Sequence, residues 1–189
     1  YMTTSEQLLS LAAEADALAI HVQTRFGSLS ERQLNWKPDS ERWSIAQCLH
    51  HIITTNTAYF PTFERILQGK YAPTLLQHIP FLPRIMGREL VRVLGRKPLR
   101  KIKTSRIFEP STSTIAKEII NGFVLHQSRV CAYLRAFAAL NIESVVVSAP
   151  QSVLLLFPLK DILIATVNHE FRHVAQAENV MNVINFGIV

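Results

Sequence analysis

Apolar positions recur at intervals of three and four residues over four long stretches of the chain, the spacing of helices with one buried face. The first stretch runs from about Thr4 to Phe26. It places Leu8, Leu11, Ala15, Leu18 and Val22 on one stripe, with a Thr4/Gln7 capping box at its start and Gly27 as its stop. The second runs from Ser44, which pairs with Gln47 as a capping box, to about Gln68, with Gly69 after it. Pro61 lies inside this stretch and should kink or split the helix. The third covers roughly Thr114 to Leu140, and the fourth roughly Leu159 to Ile184. No strong strand alternation is present. Val145 to Val147 and Val153 to Phe157 are short apolar runs that loop segments packed on a bundle would also contain. The pattern predicts an all-α protein built as a helical bundle.

A length of 189 residues and 48% apolar content suffice for one well-buried domain and are short for two, so a single domain over 1–189 is expected. The longest apolar runs, such as Val153 to Phe157, are far too short to span a bilayer, and no charged leader with an apolar core precedes the first helix. Cys48 and Cys131 do not suggest a disulfide scaffold, which favours a reducing, cytoplasmic setting. Cys48 could serve as a ligand or a reactive thiol, but a small buried core residue is the stronger expectation.

The fourth stretch carries the chemistry. In Asn168-His169-Glu170-Phe171-Arg172-His173-Val174-Ala175-Gln176, two imidazoles stand one helical turn apart beside a carboxylate. On a helix, side chains at i and i+4 lie one above the other, so His169 and His173 can converge on one cation while Gln176 extends the same face. A continuous helix is expected, because Ile162, Ala165, Thr166, His169, His173, Gln176 and Val180 recur at helical spacing with no Pro or Gly between Pro158 and Gly187. Such a pair arises by chance often enough to prove little alone. The mainly apolar company on that face strengthens it, since an unpaired buried ring costs free energy unless bonded or ligated.

His-Glu-x-x-His also matches the zincin protease signature, in which the glutamate is the general base. That reading fails downstream. The tail after His173 has no further histidine, its one acid, Glu178, is too close on the same helix, and Gln176 stands where the extended signature needs glycine. A third ligand must therefore come from upstream. The segment Leu34-Asn35-Trp36-Lys37-Pro38-Asp39-Ser40-Glu41-Arg42-Trp43-Ser44-Ile45-Ala46-Gln47-Cys48-Leu49-His50-His51-Ile52 offers His50 and His51, and periodicity alone leaves open which of them points inward.

Together, "LNWKPDSERWSIAQCLHHI" and "HEFRHVAQ" resemble the tryptophan-serine helix opening and the C-terminal His-x3-His-x2-Gln motif of the DinB-like superfamily of metal-binding four-helix bundles. In that pattern the first ligand lies eight residues after the tryptophan, which from Trp43 selects His51 over His50. The resemblance implies a three-histidine site of His51, His169 and His173. Members of the family include thiol-dependent S-transferases and isomerases, beside many proteins without known activity. The long basic segment after Tyr71 departs from the shorter connections expected there.

That segment, about 71–110, connects the second and third helical stretches. Arg84, Arg88, Arg92 and Arg96 repeat every fourth residue, Lys97, Arg100, Lys101, Lys103 and Arg106 come after them, and Glu89 and Glu109 are its only acids. Much of the net charge of +6 originates here. If residues 82–95 are helical, the arginines form one stripe and Ile85, Leu90, Val91 and Leu94 offer apolar surface elsewhere. The foremost reading is a solvated helix lying over the bundle. Second comes a cap that shapes a substrate entrance or binds an anionic group, and third a membrane-surface or nucleic-acid contact. Aromatic residues hardly interleave with these charges and no nucleic-acid motif is recognisable, which disfavours the third.

Three neutral imidazoles leave at least one coordination position open, the arrangement of catalytic rather than closed structural sites. Zinc or nickel is expected first, and iron or manganese also suit such donors. The expected function is a metal-dependent transfer of a thiol group or hydrolysis of a small molecule, with Glu170 as base or as a partner behind the ligands. A surface ion pair of Glu170 with Arg172 or Arg129 is the competing reading of that carboxylate. The alternative function is a non-enzymatic bundle that binds a metal or a small molecule. Expected partners are a small-molecule substrate, with a low-molecular-weight thiol as one form, and a second copy of the chain through exposed helix faces. Neither nucleic acid nor stable membrane insertion is expected. His21, His78 and His126 lack partners at ligand spacing, and His126 alone merits checking as an additional ligand.

Overall fold

The computed structural model describes residues 2–78, 81–97, 104–183 and 186, with the side chains of residues 76 and 78 outside the description. The fold is mostly helical, as expected, with one small sheet. Its helices are α1 (Thr4–Phe26), α2 (Glu31–Asn35), α3 (Ile45–Thr57), α4 (Phe60–Leu67), α5 (Leu82–Val93), α6 (Ile119–Ala138) and α7 (Leu159–Met181). Strands β1 (Val146–Ala149) and β2 (Ser152–Pro158) form an antiparallel hairpin just before α7, with Val147 opposite Phe157. The two apolar runs that a loop would also have explained are these strands.

Local chemistry accounts for the element ends. The cap of α1 is Thr3 with Glu6, one residue earlier than expected, because the Glu6 carboxylate accepts from the Thr3 backbone N–H while Thr3 Oγ1 accepts from Glu6 N–H. Ser44 and Gln47 cap α3 as the sequence indicates. The second stretch does split near Pro61. Helix α3 ends at Thr57, and α4 restarts with Pro61 in its first turn, where a missing N–H leaves no helical bond unmade. Gly69 after α4 takes φ +67°, a left-handed turn that glycine makes without strain. The third stretch begins at Ile119 rather than Thr114, and the fourth ends at Met181, with Ile184 outside the described residues. The short α2 carries its own box of Ser30 and Gln33, a signal that sequence analysis passed over.

The four longest helices pack on one another, α1 against α6 and α7, and α3 against α7 and α6. Their buried faces form two apolar clusters. One gathers Leu8, Leu11, Leu134, Phe137, Leu159 and Ile162, and the other Val22, Phe26, Leu49, Ile52, Phe123 and Ala177. Between the clusters the inward-facing stripes of α3, α6 and α7 turn polar, while that of α1 stays apolar. His51 and Asn56 come from α3, His126 and Gln127 from α6, and His169, Glu170 and His173 from α7, all of them buried. Burial of such groups costs about 1–3 kcal/mol for each donor or acceptor left unmatched, so this polar layer is not explained by stability.

Helix α5 lies over the bundle on β2 and α7. Close approach is possible because position 87 is glycine: a Cβ there would meet Pro158 Cδ at 2.7 Å and collide with the Asp161 carboxylate. Arg84, Arg88 and Arg92 point to solvent, in agreement with the solvated-helix reading. Just beyond the helix, Arg96 ties this cover down. It donates to Asn168 Oδ1 at 3.0 Å, pairs with Glu14, and sets its guanidinium 4.0 Å above the Phe171 ring. Arg100, Lys101 and Lys103 lie outside the described residues. Among the described residues no helix is long and apolar enough to cross a membrane.

Candidate metal centre

His169 and His173 project from α7 one turn apart, and His51 meets them from α3. His169 Nε2 lies 3.0 Å from His173 Nε2 and 3.4 Å from His51 Nε2. One ligand atom from each ring falls within 4.8 Å of the other two. His50, the competing neighbour, is only half-buried and pairs with Thr54 instead.

Two of the rings are oriented from behind. His51 Nδ1 donates to the Phe108 carbonyl at 2.6 Å, and His173 Nδ1 donates to Gln176 Oε1 at 3.0 Å. A hydrogen on each Nδ1 leaves Nε2 as a bare lone pair aimed at the shared centre. Trp43 covers one side, stacked on His173 with centroids 5.6 Å apart and tilted against His51 at 4.8 Å. Burial lowers the pKa of all three imidazoles below the ordinary 6.5, that of His173 to about 3, and the charges of neighbouring Arg172 and of the other histidines add to the fall. His51 and His173 thus present two lone pairs to the centre, and a single Nε2 hydrogen on His169 cannot serve both fully, whereas a cation can be shared by all three rings. Nitrogen donors, neutral rings and outward-facing Nδ1 hydrogens therefore fit a divalent metal ion.

The triad forms part of the wall of a pocket of about 250 Å³ between α3, α5 and α7. Leu90 and Leu94 from the α5 region and Phe108 close it on the outer side, so the basic connection shapes the entrance as well as lying in solvent. Asn56 and Arg172 supply polar atoms to the same wall.

Glu170 faces the other way. It is fully buried, pairs with neither Arg172 nor Arg129, and does not line the pocket. Its Oε1 accepts from Asn56 Nδ2 at 2.6 Å, and Asn56 Nδ2 also donates to His126 Nε2 at 3.2 Å. Burial pushes the Glu170 carboxyl up to about 8, while the nearby amides of Gln127 and Asn56 oppose the rise. His126 is not a fourth member of the cluster: it bonds Asn56, stacks on Phe60 at 5.2 Å, and is pushed by burial down to about 4. His21 sits at the surface on Glu178, and the His78 side chain lies outside the description. Cys48 belongs to the apolar core, where burial drives its thiol pKa far up, so it is neither ligand nor nucleophile.

Sequence analysis missed Asn56, the Phe108 carbonyl and the pocket-facing Arg172. Asn56 had a legible signal, standing four residues after Ile52 on an otherwise apolar stripe. The Phe108 carbonyl had none, since any residue supplies one. A family model of the DinB superfamily matches residues 20–177, which contain all three histidines and the whole pocket wall. Neither the curated proteins nor the solved structures contain a match. With most of the chain covered by that model, the chain belongs to the DinB superfamily.

Proposed function

We propose that this protein is a metal-dependent enzyme acting on a small molecule, either transferring a thiol group to it or hydrolysing it. The observation that carries this reading is three mutually facing Nε2 atoms in the wall of a pocket, rather than sealed in the core. A structural metal needs a closed ligand set, whereas three ligands beside open space leave room for a reactant. His51, His169 and His173 would hold the ion, and zinc and nickel head the ions suited to such donors. When bound, a divalent cation supplies Lewis acidity that makes a water or thiol at the open position more acidic.

The chain's own residues do the positioning. Phe108 O and Gln176 Oε1 hold two rings in the tautomer that presents Nε2, and Trp43 fixes their planes. Leu90 and Leu94 exclude bulk water on the outer side. Glu170 acts behind the wall as a positioning residue: it holds the Asn56 amide, which reaches the pocket itself.

The test is elemental analysis after dialysis of protein purified without a metal-affinity column, comparing wild type with His51→Ala. Near-stoichiometric metal that the variant loses is the expected result. Wild type that is metal-free and takes up no zinc, nickel or manganese would overturn the reading. With the metal established, turnover of thiol-acceptor or ester substrates separates the enzyme from its alternative, a bundle that only binds.

A further inference from the structure

Among the described residues Arg172 is the one member of the pocket wall with a permanent charge, and it lacks a counter-ion. Every aspartate and glutamate of the chain lies within the described residues, yet none of these side chains pairs with it. Some exposed arginines, Arg25, Arg92 and Arg135, pair with Glu178, Glu89 and Asp16, and others such as Arg32 and Arg84 stand in solvent, whereas Arg172 is unpaired although half-buried. Arg172 is half-buried, and its one hydrogen bond among the described residues runs from Nη1 to the Val93 carbonyl at 3.3 Å. That bond pins one edge of the guanidinium to the C-terminal end of α5 and leaves Nε and Nη2 without an acceptor among the described residues. A partly desolvated cation with spare parallel donors suits a planar anion.

Its surroundings narrow the class. Pocket and triad share Arg172 as a neighbour, and its charge is felt by all three imidazoles. No acidic side chain lines the pocket, while Leu90, Leu94, Ile162 and Ala165 give it an apolar body. The volume of about 250 Å³ lies near the lower end for small-molecule pockets, which suits a small ligand.

We infer that Arg172 anchors the carboxylate of a small, otherwise apolar substrate, holding its body in the pocket beside the three histidines. This deepens the small-molecule reading above and rests on it for the chemistry after binding. Anchoring itself needs only the guanidinium and the cavity. A carboxylate fixed at Arg172 leaves the remainder of the molecule to approach the triad, so Arg172 sets both selectivity and orientation.

The experiment is calorimetric titration of benzoate, phenylacetate and 3-phenylpropanoate, each against its uncharged amide, into zinc-loaded and zinc-free protein. Wild type should bind at least one carboxylate tenfold or more tighter than its amide, as charge-assisted hydrogen bonds of this kind provide. In both Arg172→Met and Arg172→Gln that preference should shrink below threefold while zinc content, measured in parallel, stays at the wild-type level. Two variants of different polarity separate loss of the anchor from loss of the fold. Absence of any carboxylate preference in wild type would overturn the proposal. So would a preference that survives both substitutions but vanishes when zinc is removed, because the anion would then sit on the cation. Failure of the metal reading is read separately, as zinc content that does not respond to His51→Ala.

Discussion

The polar layer between the two apolar clusters has two halves that treat their histidines in opposite ways. On the pocket side, His51, His169 and His173 turn their Nε2 atoms toward one another, and the only hydrogen the rings can bring to the shared centre is one on His169 Nε2, which faces two acceptors. On the sealed side, His126 accepts from Asn56, whose amide also serves Glu170, so the protein provides the partners itself. The same residue type at similar burial thus ends as a waiting acceptor in one half and a satisfied one in the other. What differs is orientation: backbone and amide oxygens take up Nδ1 in the first half, while an amide hydrogen takes up Nε2 in the second. In the first half two lone pairs face a shared centre, whereas in the second the chain itself supplies the partner of His126.

Acid should have the largest effect, and it acts on the histidines of both halves. The folded pKa values of the triad and of His126 lie below the unfolded 6.5, so under mildly acidic conditions the unfolded chain binds more protons than the folded one. Their contribution is fully present above pH 6.5 and is lost as the pH falls toward the folded values, about 4 for His126 and about 3 for His173. His126 and His173 should each remove up to ~1.4 kcal/mol per pH unit across that window, and His51 and His169 act in the same direction. Denaturant midpoints of metal-free protein at pH 7, 6 and 5 measure the loss. Saturating zinc at pH 7 should add ~2.7 kcal/mol at a hundred times its dissociation constant. The raised pKa of Glu170 opposes part of this loss, and equal stability at pH 7 and pH 5 beyond that offset would mean that the folded rings take up protons as readily as the unfolded ones.

A smaller effect should result from Asn56→Leu, which strips the donor from both Glu170 and His126 in the sealed half. Two orphaned acceptors predict a loss of ~2–4 kcal/mol, read from urea denaturation. By comparison, His173→Ala in metal-free protein should cost half of that or less, since it removes one of the two lone pairs at the shared centre, while abolishing zinc uptake. The reverse ranking would assign the structural role to the wrong half.

The halves also differ in how legible they were. Spacing on α7 was enough to pair His169 with His173, because a helix translates i and i+4 directly into contact. Selection of His51 over His50 needed the family pattern, since Ile45, Cys48, Leu49, Ile52 and Ile53 spread the apolar face of α3 too widely for periodicity to decide. The sealed half went unread. Its members, Asn56, His126 and Glu170, are 44 or more positions apart in sequence and meet only once α3, α6 and α7 pack. Glu170 read equally well as a surface carboxylate or a base, because neighbouring Arg172 offered an ion pair that the folded helix does not form. The hairpin was missed for a related reason. Strands β1 and β2 are brief and one-sided, and their pairing is supported by α5 lying across β2 rather than by any alternation of their own.

Substitution of the two glutamines sharpens the comparison at its finest scale. Gln176 serves the open half by accepting from His173, so Gln176→Leu should weaken zinc binding about tenfold, the lower end for a residue behind a metal ligand, with little change in the metal-free fold. Gln127 lies in the sealed half with its side chain fully buried, and among the described residues neither Nε2 nor Oε1 reaches a partner at good hydrogen-bond geometry, although the amide is near enough to Glu170 to lower its pKa. An unmatched amide carries its full desolvation cost, so Gln127→Met, which is similar in length, should raise stability by ~1 kcal/mol and leave zinc affinity unchanged. The pH of that measurement matters. Gln127 helps to hold down the Glu170 pKa, which burial raises to about 8, so the carboxyl's contribution to stability is full below the unfolded 4.5 and fades as pH rises through about 8. At pH 6 folded Glu170 carries its proton with or without Gln127, and the substitution then reports on the amide alone. A loss exceeding 1 kcal/mol at that pH would mean that an internal water bridges Gln127 and the unpartnered Glu170 Oε2, making the sealed half as dependent on an outside partner as the open one.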